Sequence, residues 1–116
     1  MFDPPLADLL RLDDAAFRQK FSGSPVKRIG RDRFLRNCLI AAGNSGDISL
    51  VPDVLRLAGD AAPVVRGAAV WALSQLLTAA ELQAVRQRLA SAETDDAVQK
   101  EWQAAAQGDA GDGTPL

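Results

Sequence analysis

The chain has 116 residues, with 13 Lys and Arg against 15 Asp and Glu, a formal net charge of −2 and a pI near 5.0. It contains one cysteine, Cys38, and no histidine, which excludes an internal disulfide, a cysteine-built metal cluster and an imidazole base or zinc ligand. Ala and Leu dominate a 47% hydrophobic composition with 5% aromatics, which suits a single domain of closely packed helices better than a sheet.

In chain order, Asp3 before Pro4 and Pro5 predicts a cap and first-turn prolines that open a short helix through Leu12. Asp13 caps a second helix, on which Phe17 and Phe21 share a face. Ser22-Gly23-Ser24-Pro25 is a break. Helical patterning resumes from about Arg31 to Ala42, with an exit at Gly43-Asn44-Ser45-Gly46. Ser49 is the expected cap of the next helix, with Pro52 in its first turn and Val51, Val54, Leu55 and Ala58 inward. Gly59 ends it, and Pro63 starts a helix to about Leu77. Thr78-Ala79-Ala80-Glu81 is a capping box, followed by the stripe Leu82, Val85 and Leu89. Thr94, with Asp95 and Asp96, opens a last helix presenting Val98 and Trp102. From Gln107 the polar, glycine-rich sequence predicts a disordered tail. No run reaches the roughly 18–20 apolar residues of a membrane span, and no secretory signal is legible, so a cytoplasmic protein is expected.

Positive charge is unevenly placed. Residues 18–36 carry Arg18, Lys20, Lys27, Arg28, Arg31, Arg33 and Arg36 against Asp32 alone, a local net of +6 in an acidic chain. Such a patch points to an anionic partner that the overall pI conceals.

The helices repeat. Residues Leu35 to Ala42 align with Val65 to Ala72 at an offset of 30, and Val98 to Ala105 follow at 33. A period near 30 with two helices per unit predicts an all-α solenoid of two to three helical pairs in a right-handed superhelix. Residues 1–22 form an entry helix pair, 23–106 the repeats and 107–116 the tail. The stretch from Asp60 to Leu73, an acidic turn, a proline, Val-Arg and then small residues, resembles a HEAT-like repeat helix.

A more specific likeness lies in Phe21-Ser22-Gly23-Ser24-Pro25-Val26-Lys27-Arg28-Ile29-Gly30-Arg31, continuing through Phe34-Leu35-Arg36-Asn37 to Gly43-Asn44-Ser45-Gly46-Asp47. It resembles the C-terminal HEAT-like portion of epoxyqueuosine reductase, a bacterial enzyme that completes queuosine in certain tRNAs. The resemblance implies tRNA, at its anticodon region, and a catalytic reductase domain or chain as partners. The family's cobalamin and two 4Fe-4S clusters, which need about eight thiolates, have no place in a chain with one cysteine. It therefore reads as an accessory tRNA-binding domain of queuosine biosynthesis that is not an enzyme alone. The alternative is a HEAT-repeat module for protein–protein interaction.

On a helical wheel of residues 29–44, Phe34, Leu35, Cys38, Leu39, Ala41 and Ala42 fill the core arc, and Arg33, Arg36, Asn37 and Asn44 face away. Lys27, Arg28 and Arg31 lie near the helix N-terminus, where phosphates find cations and free amides. Lys27, Arg28, Arg31, Arg33 and Asn37 are thus the candidate nucleic-acid contacts. Arg36 and Arg66 share a register and read as a structural ladder, with Asp60 or Asp47 as the acid. Cys38 is expected to be a buried, inert thiol, and Trp71 and Trp102 to be core residues. No catalytic constellation and no metal-ligand set is present.

Overall fold

The computed structural model describes residues 6–23 and 30–112, with the side chains of the last helix as far as Ala105. These residues form seven α-helices and no strand: α1 Leu6–Leu10, α2 Asp14–Lys20, α3 Gly30–Ser45, α4 Val51–Leu57, α5 Pro63–Leu76, α6 Ala79–Leu89 and α7 Asp96–Asp112. Short 3-10 turns at Ile48–Leu50 and Ala90–Ala92 precede α4 and α7. The expected all-α, HEAT-like solenoid is what the chain builds. α3–α4 and α5–α6 are two complete pairs, and α7 opens a third.

Helix α5 is the centre of the stack, packed against α3 on one side and α7 on the other. The 30- and 33-residue offsets hold in the burial pattern. Leu35, Leu39 and Ala42 of α3 match Val65, Ala69 and Ala72 of α5, and these match Val98, Trp102 and Ala105 of α7. All nine are buried. Each helix thus uses an i, i+4, i+7 stripe to close one continuous core, which no single repeat could bury alone.

Local signals account for most helix boundaries. The Asp13 carboxylate accepts the Ala16 N–H at 2.7 Å and caps α2. Both halves of the capping box at α6 are formed, Glu81 N–H to Thr78 Oγ1 at 3.2 Å and Thr78 N–H to Glu81 Oε1 at 2.9 Å. Two caps shift from their expected residues. Asp47, not Ser49, caps the turn before α4, accepting the Ser49 N–H at 3.0 Å and its hydroxyl at 2.6 Å. Asp95, not Thr94, accepts the Val98 N–H at 3.1 Å at the start of α7. Carboxylates in these positions can accept more than one donor, so they displace the neighbouring hydroxyls.

Four further expectations are corrected. Gly43 does not end α3; the helix continues to Ser45 and turns at Gly46, where φ is +70°. Gly43 is buried because the ring of Trp71 lies on it: a Cβ there would stand 2.5 Å from Trp71 Cζ3. Ala41 is exposed rather than core, and Trp71 is half-buried rather than enclosed. Helix α7 also runs past Gln107 to Asp112 where a disordered tail is predicted. Gly108 and Gly111 lower helix propensity without forbidding it, and the first proline comes only at Pro115. The predicted opening at Asp3, Pro4 and Pro5 lies outside the described residues.

The N-terminal helices are fastened to the first repeat. Phe17, Phe21 and Phe34 form a three-ring cluster with centroids 4.9–5.4 Å apart, which docks α2 on α3. Arg11 reaches Asp53 of α4 at 3.0 and 3.3 Å, and Arg56 joins the same carboxylate at 3.3 Å while donating to Leu10 O at 3.0 Å.

Candidate nucleic-acid interface

The basic stretch of residues 18–36 divides into cations that the fold consumes and cations that it leaves in solvent. Lys27 and Arg28 lie outside the described residues. Arg18 is held by Asp14 one turn earlier on α2, at 3.1 Å.

Arg31 is the largest departure from the sequence reading. Its guanidinium forms a bidentate pair with Asp60 at 3.0 and 2.7 Å, touches Asp32 at 3.1 Å and donates to Leu12 O at 3.2 Å. Its side chain is only 16% exposed. A guanidinium with its donors so engaged is a bracket between α3, the α4–α5 turn and the chain after α1. It has no open fork for a phosphate.

The arginine ladder is real but its members differ from those expected. Arg66 pairs bidentately with Glu93 at 2.9 and 2.8 Å and donates to the Asp60 and Ala61 carbonyls at 2.9 and 3.1 Å. By the repeat offset the acid equivalent to Glu93 is Asp60, and the arginine equivalent to Arg66 is Arg36. Instead, Arg31 takes Asp60. The physical reason is that α3 begins at Gly30, whereas α5 begins at Pro63, the register equivalent of residue 33. The extra turn carries Arg31 into reach of the α4–α5 connection first. Asp47, the other acid considered, is occupied as a cap.

Arg36 is therefore released. It is exposed, and its only partner among the described residues is the Asn37 side-chain oxygen at 3.4 Å. Arg33 is exposed one turn earlier on the same face. Lys20, which the sequence reading did not select, is exposed at the end of α2. Lys20 precedes Phe21 and Arg33 precedes Phe34, so the ring contact at 4.9 Å brings the segments carrying both cations together. None of the three forms an ion pair among the described residues. For Lys20 and Arg33 the signal was available, since neither has an acid at i±3 or i±4, unlike Arg18 with Asp14. Arg36 has Asp32 at i−4, but that carboxylate contacts Arg31 instead.

Burial alone would raise the Asp60 carboxyl. The hydrogen bonds from Arg31 and the Ala62 N–H, with the charges of Arg31 and Arg66, outweigh that and hold it below the usual carboxylate range. Glu93 is lowered by its hydrogen bonds from Arg66, against the opposing effect of burial. Cys38 is pushed up to about 11 by burial. A lone, protonated thiol on the core side of α3 does not fit an iron–sulfur cluster or a nucleophile. No group of three or more metal-ligating side chains occurs among the described residues, and no helix there is long and apolar enough to cross a membrane.

Comparison with known proteins agrees with this architecture. The family described as HEAT repeats matches residues 31–106. The epoxyqueuosine reductase of Alicycliphilus denitrificans is 37% identical over 78 residues, covering 60% of this chain and 22% of that protein. The Yersinia pestis epoxyqueuosine reductase is 33% identical over 86 residues, covering 74% of this chain and 21% of that protein. In three dimensions the chain superposes on epoxyqueuosine reductase crystallised with an epoxyqueuosine-modified tRNA-Tyr stem loop, with a TM-score of 0.83 and 25% identity. That match covers 92% of this chain and 28% of the other. The chain thus spans roughly a fifth to a quarter of the length of these relatives, and the resemblance read from residues 21–47 is upheld.

Proposed function

The chain belongs to the HEAT-repeat family, and from that premise we propose that it is an accessory tRNA-contacting domain of the kind found in epoxyqueuosine reductase. The observation that carries this reading is the likeness, over nearly the whole chain, to a protein solved with a tRNA stem loop. The surface supports it: Lys20, Arg33 and Arg36, with the Asn37 amide, offer donors that no acid among the described residues neutralises. Lys27 and Arg28 belong to the same basic stretch and join the proposed set. Arg31 leaves it.

In this reading the domain holds sugar–phosphate backbone. Arginine forks and an amide on successive turns of α3 position the RNA without reading its bases. Each phosphate contact releases condensed counterions, so binding is sensitive to salt. The anticodon region is the proposed contact. The reaction chemistry, the cobalamin and the two iron–sulfur clusters of the family belong to polypeptide outside this chain, whose one thiol is protonated and enclosed.

The test is titration of a fluorescent anticodon stem-loop RNA into the purified chain. Arg33→Ala/Arg36→Ala should weaken binding by about tenfold or more at low salt, with unchanged melting. Equal affinity of variant and wild type would remove α3 from the interface.

A further inference from the structure

A second surface lies beside the basic face and has a different chemistry. Helices α3, α5 and α7 stand side by side, and the outer surface of α5 forms the floor of a trough of about 400 Å³. The floor is Val64, Gly67, Ala68 and Trp71; Ile40 of α3 and Val98 of α7 line its sides. Val64 is 43% exposed, one of two large apolar side chains left in solvent among the described residues. The walls end in opposite charges, Arg36 on α3 and Glu101 on α7. Glu101 forms no ion pair among the described residues, and its Cγ lies 3.7 Å from where a Gly67 Cβ would stand, so it overhangs the floor.

This chemistry selects one class of occupant. A small-molecule site would converge polar groups on one ligand, whereas here the charges stand on opposite rims above an apolar floor. An RNA strand would meet Arg36 favourably but would be repelled by Glu101 on the other side. A helix fits both features. Neighbouring helices generally pack about 8–10 Å apart, so a helix of about 10–12 Å diameter can lie on α5 between the rims formed by α3 and α7. We propose that this trough docks one amphipathic helix of another polypeptide, with its apolar stripe on Val64, Ala68 and Trp71, its acidic flank against Arg36 and its basic flank against Glu101. Because the two flanks differ in charge, only one helix direction satisfies both rims. Groove docking of this type uses anchors at i, i+3 or i+4, and i+7. Arg36 stands at the border of the trough and the proposed RNA face, whereas Ala68 and Glu101 belong to the trough alone.

The probe is a capped 18-residue alanine–leucine helix with Leu along one stripe, Glu along one flank of it and Lys along the other. Titrated into the isotope-labelled chain, it should give saturable shifts at the Gly67 and Ala68 amides and the Trp71 indole N–H. A nitroxide on its C-terminus should broaden the Val64 end or the Trp71 end, not both. Ala68→Phe, which fills the trough, should weaken binding at least tenfold, and Glu101→Gln about two- to fivefold, the range of one exposed pair. Melting and stem-loop RNA binding of Ala68→Phe should be unchanged, which separates this proposal from the RNA reading. Four results would overturn it: no saturable shift, shifts indifferent to Ala68→Phe, perturbation of Gly67 and Ala68 by stem-loop RNA instead of peptide, or the same shifts arising from self-association without peptide.

Discussion

Replacing Arg31 by alanine separates the structural account from the simplest reading of the basic stretch. The change removes two hydrogen bonds to Asp60 at 3.0 and 2.7 Å and one to Leu12 O at 3.2 Å. It leaves Asp60, 12% exposed, without its cation. Deleting one partner of a buried pair costs about 3–5 kcal/mol. Because both side chains retain a little solvent contact, about 2–4 kcal/mol is expected here. Against a total stability of about 5–15 kcal/mol, that lowers the melting temperature by roughly 10–20 °C. Asp60→Ala should cost a similar amount, and the double variant less than the two singles together, since each removes the same interaction. Thermal denaturation followed by circular dichroism reads all three, with Arg33→Ala as the exposed control expected to melt like wild type. If Arg31→Ala melts within about 2 °C of wild type while losing RNA affinity, the bracket is wrong and Arg31 is a phosphate contact.

Other residues carry their own tests. Asp60 and Glu93 have carboxyls held below their unfolded values of about 3.9 and 4.3, so the unfolded chain takes up protons first as pH falls. Their contribution is complete above about pH 5 and is lost through pH 4 and below; Glu93→Gln should flatten that acid limb in urea titrations, and an unchanged limb would contradict the pairing with Arg66. Gly43→Ala sets a methyl 2.5 Å from the Trp71 ring and 3.1 Å from Ala72 Cα. Overpacking of about 1–3 kcal/mol should exceed the ~1 kcal/mol of helix propensity gained, so melting falls; a rise would mean that Trp71 is not seated on α3. Cys38, with its thiol pushed up to about 11, should resist iodoacetamide in the native state at pH 8 and react on unfolding; prompt native labelling would contradict its burial.

Much of this was legible because it is local. Asp13 and the Thr78–Glu81 box cap their helices through bonds spanning three residues, and the i, i+4, i+7 stripes repeat at fixed offsets. The partner of Asp60 was not legible. Arg31 and Arg36 are both within reach of a turn 24–29 residues on, and the choice depends on how far α3 extends before Phe34. Gly43 was misread for a related reason. Gly-Asn-Ser-Gly has the composition of a turn, but its first glycine answers to a tryptophan 28 residues away. Ser49 and Thr94 were misplaced as caps because a stronger acceptor stands within two residues of each. For the interface, the sequence located the basic stretch but could not divide it, since ion pairing across repeats decides which cations stay in solvent.

The central claim is that the exposed cations of α2 and α3, with Lys27 and Arg28 of the sequence between them, hold RNA backbone, and the salt dependence of stem-loop binding tests it most directly. For RNA loops and single strands, log affinity should fall with log salt by about 0.7 per phosphate contact, giving a slope of roughly −2 to −3 for three to four contacts among Lys20, Lys27, Arg28, Arg33 and Arg36. Arg33→Ala/Arg36→Ala should flatten that slope by about 1 to 1.5 with melting unchanged. Binding insensitive to salt, or a slope identical in wild type and variant, would contradict the account.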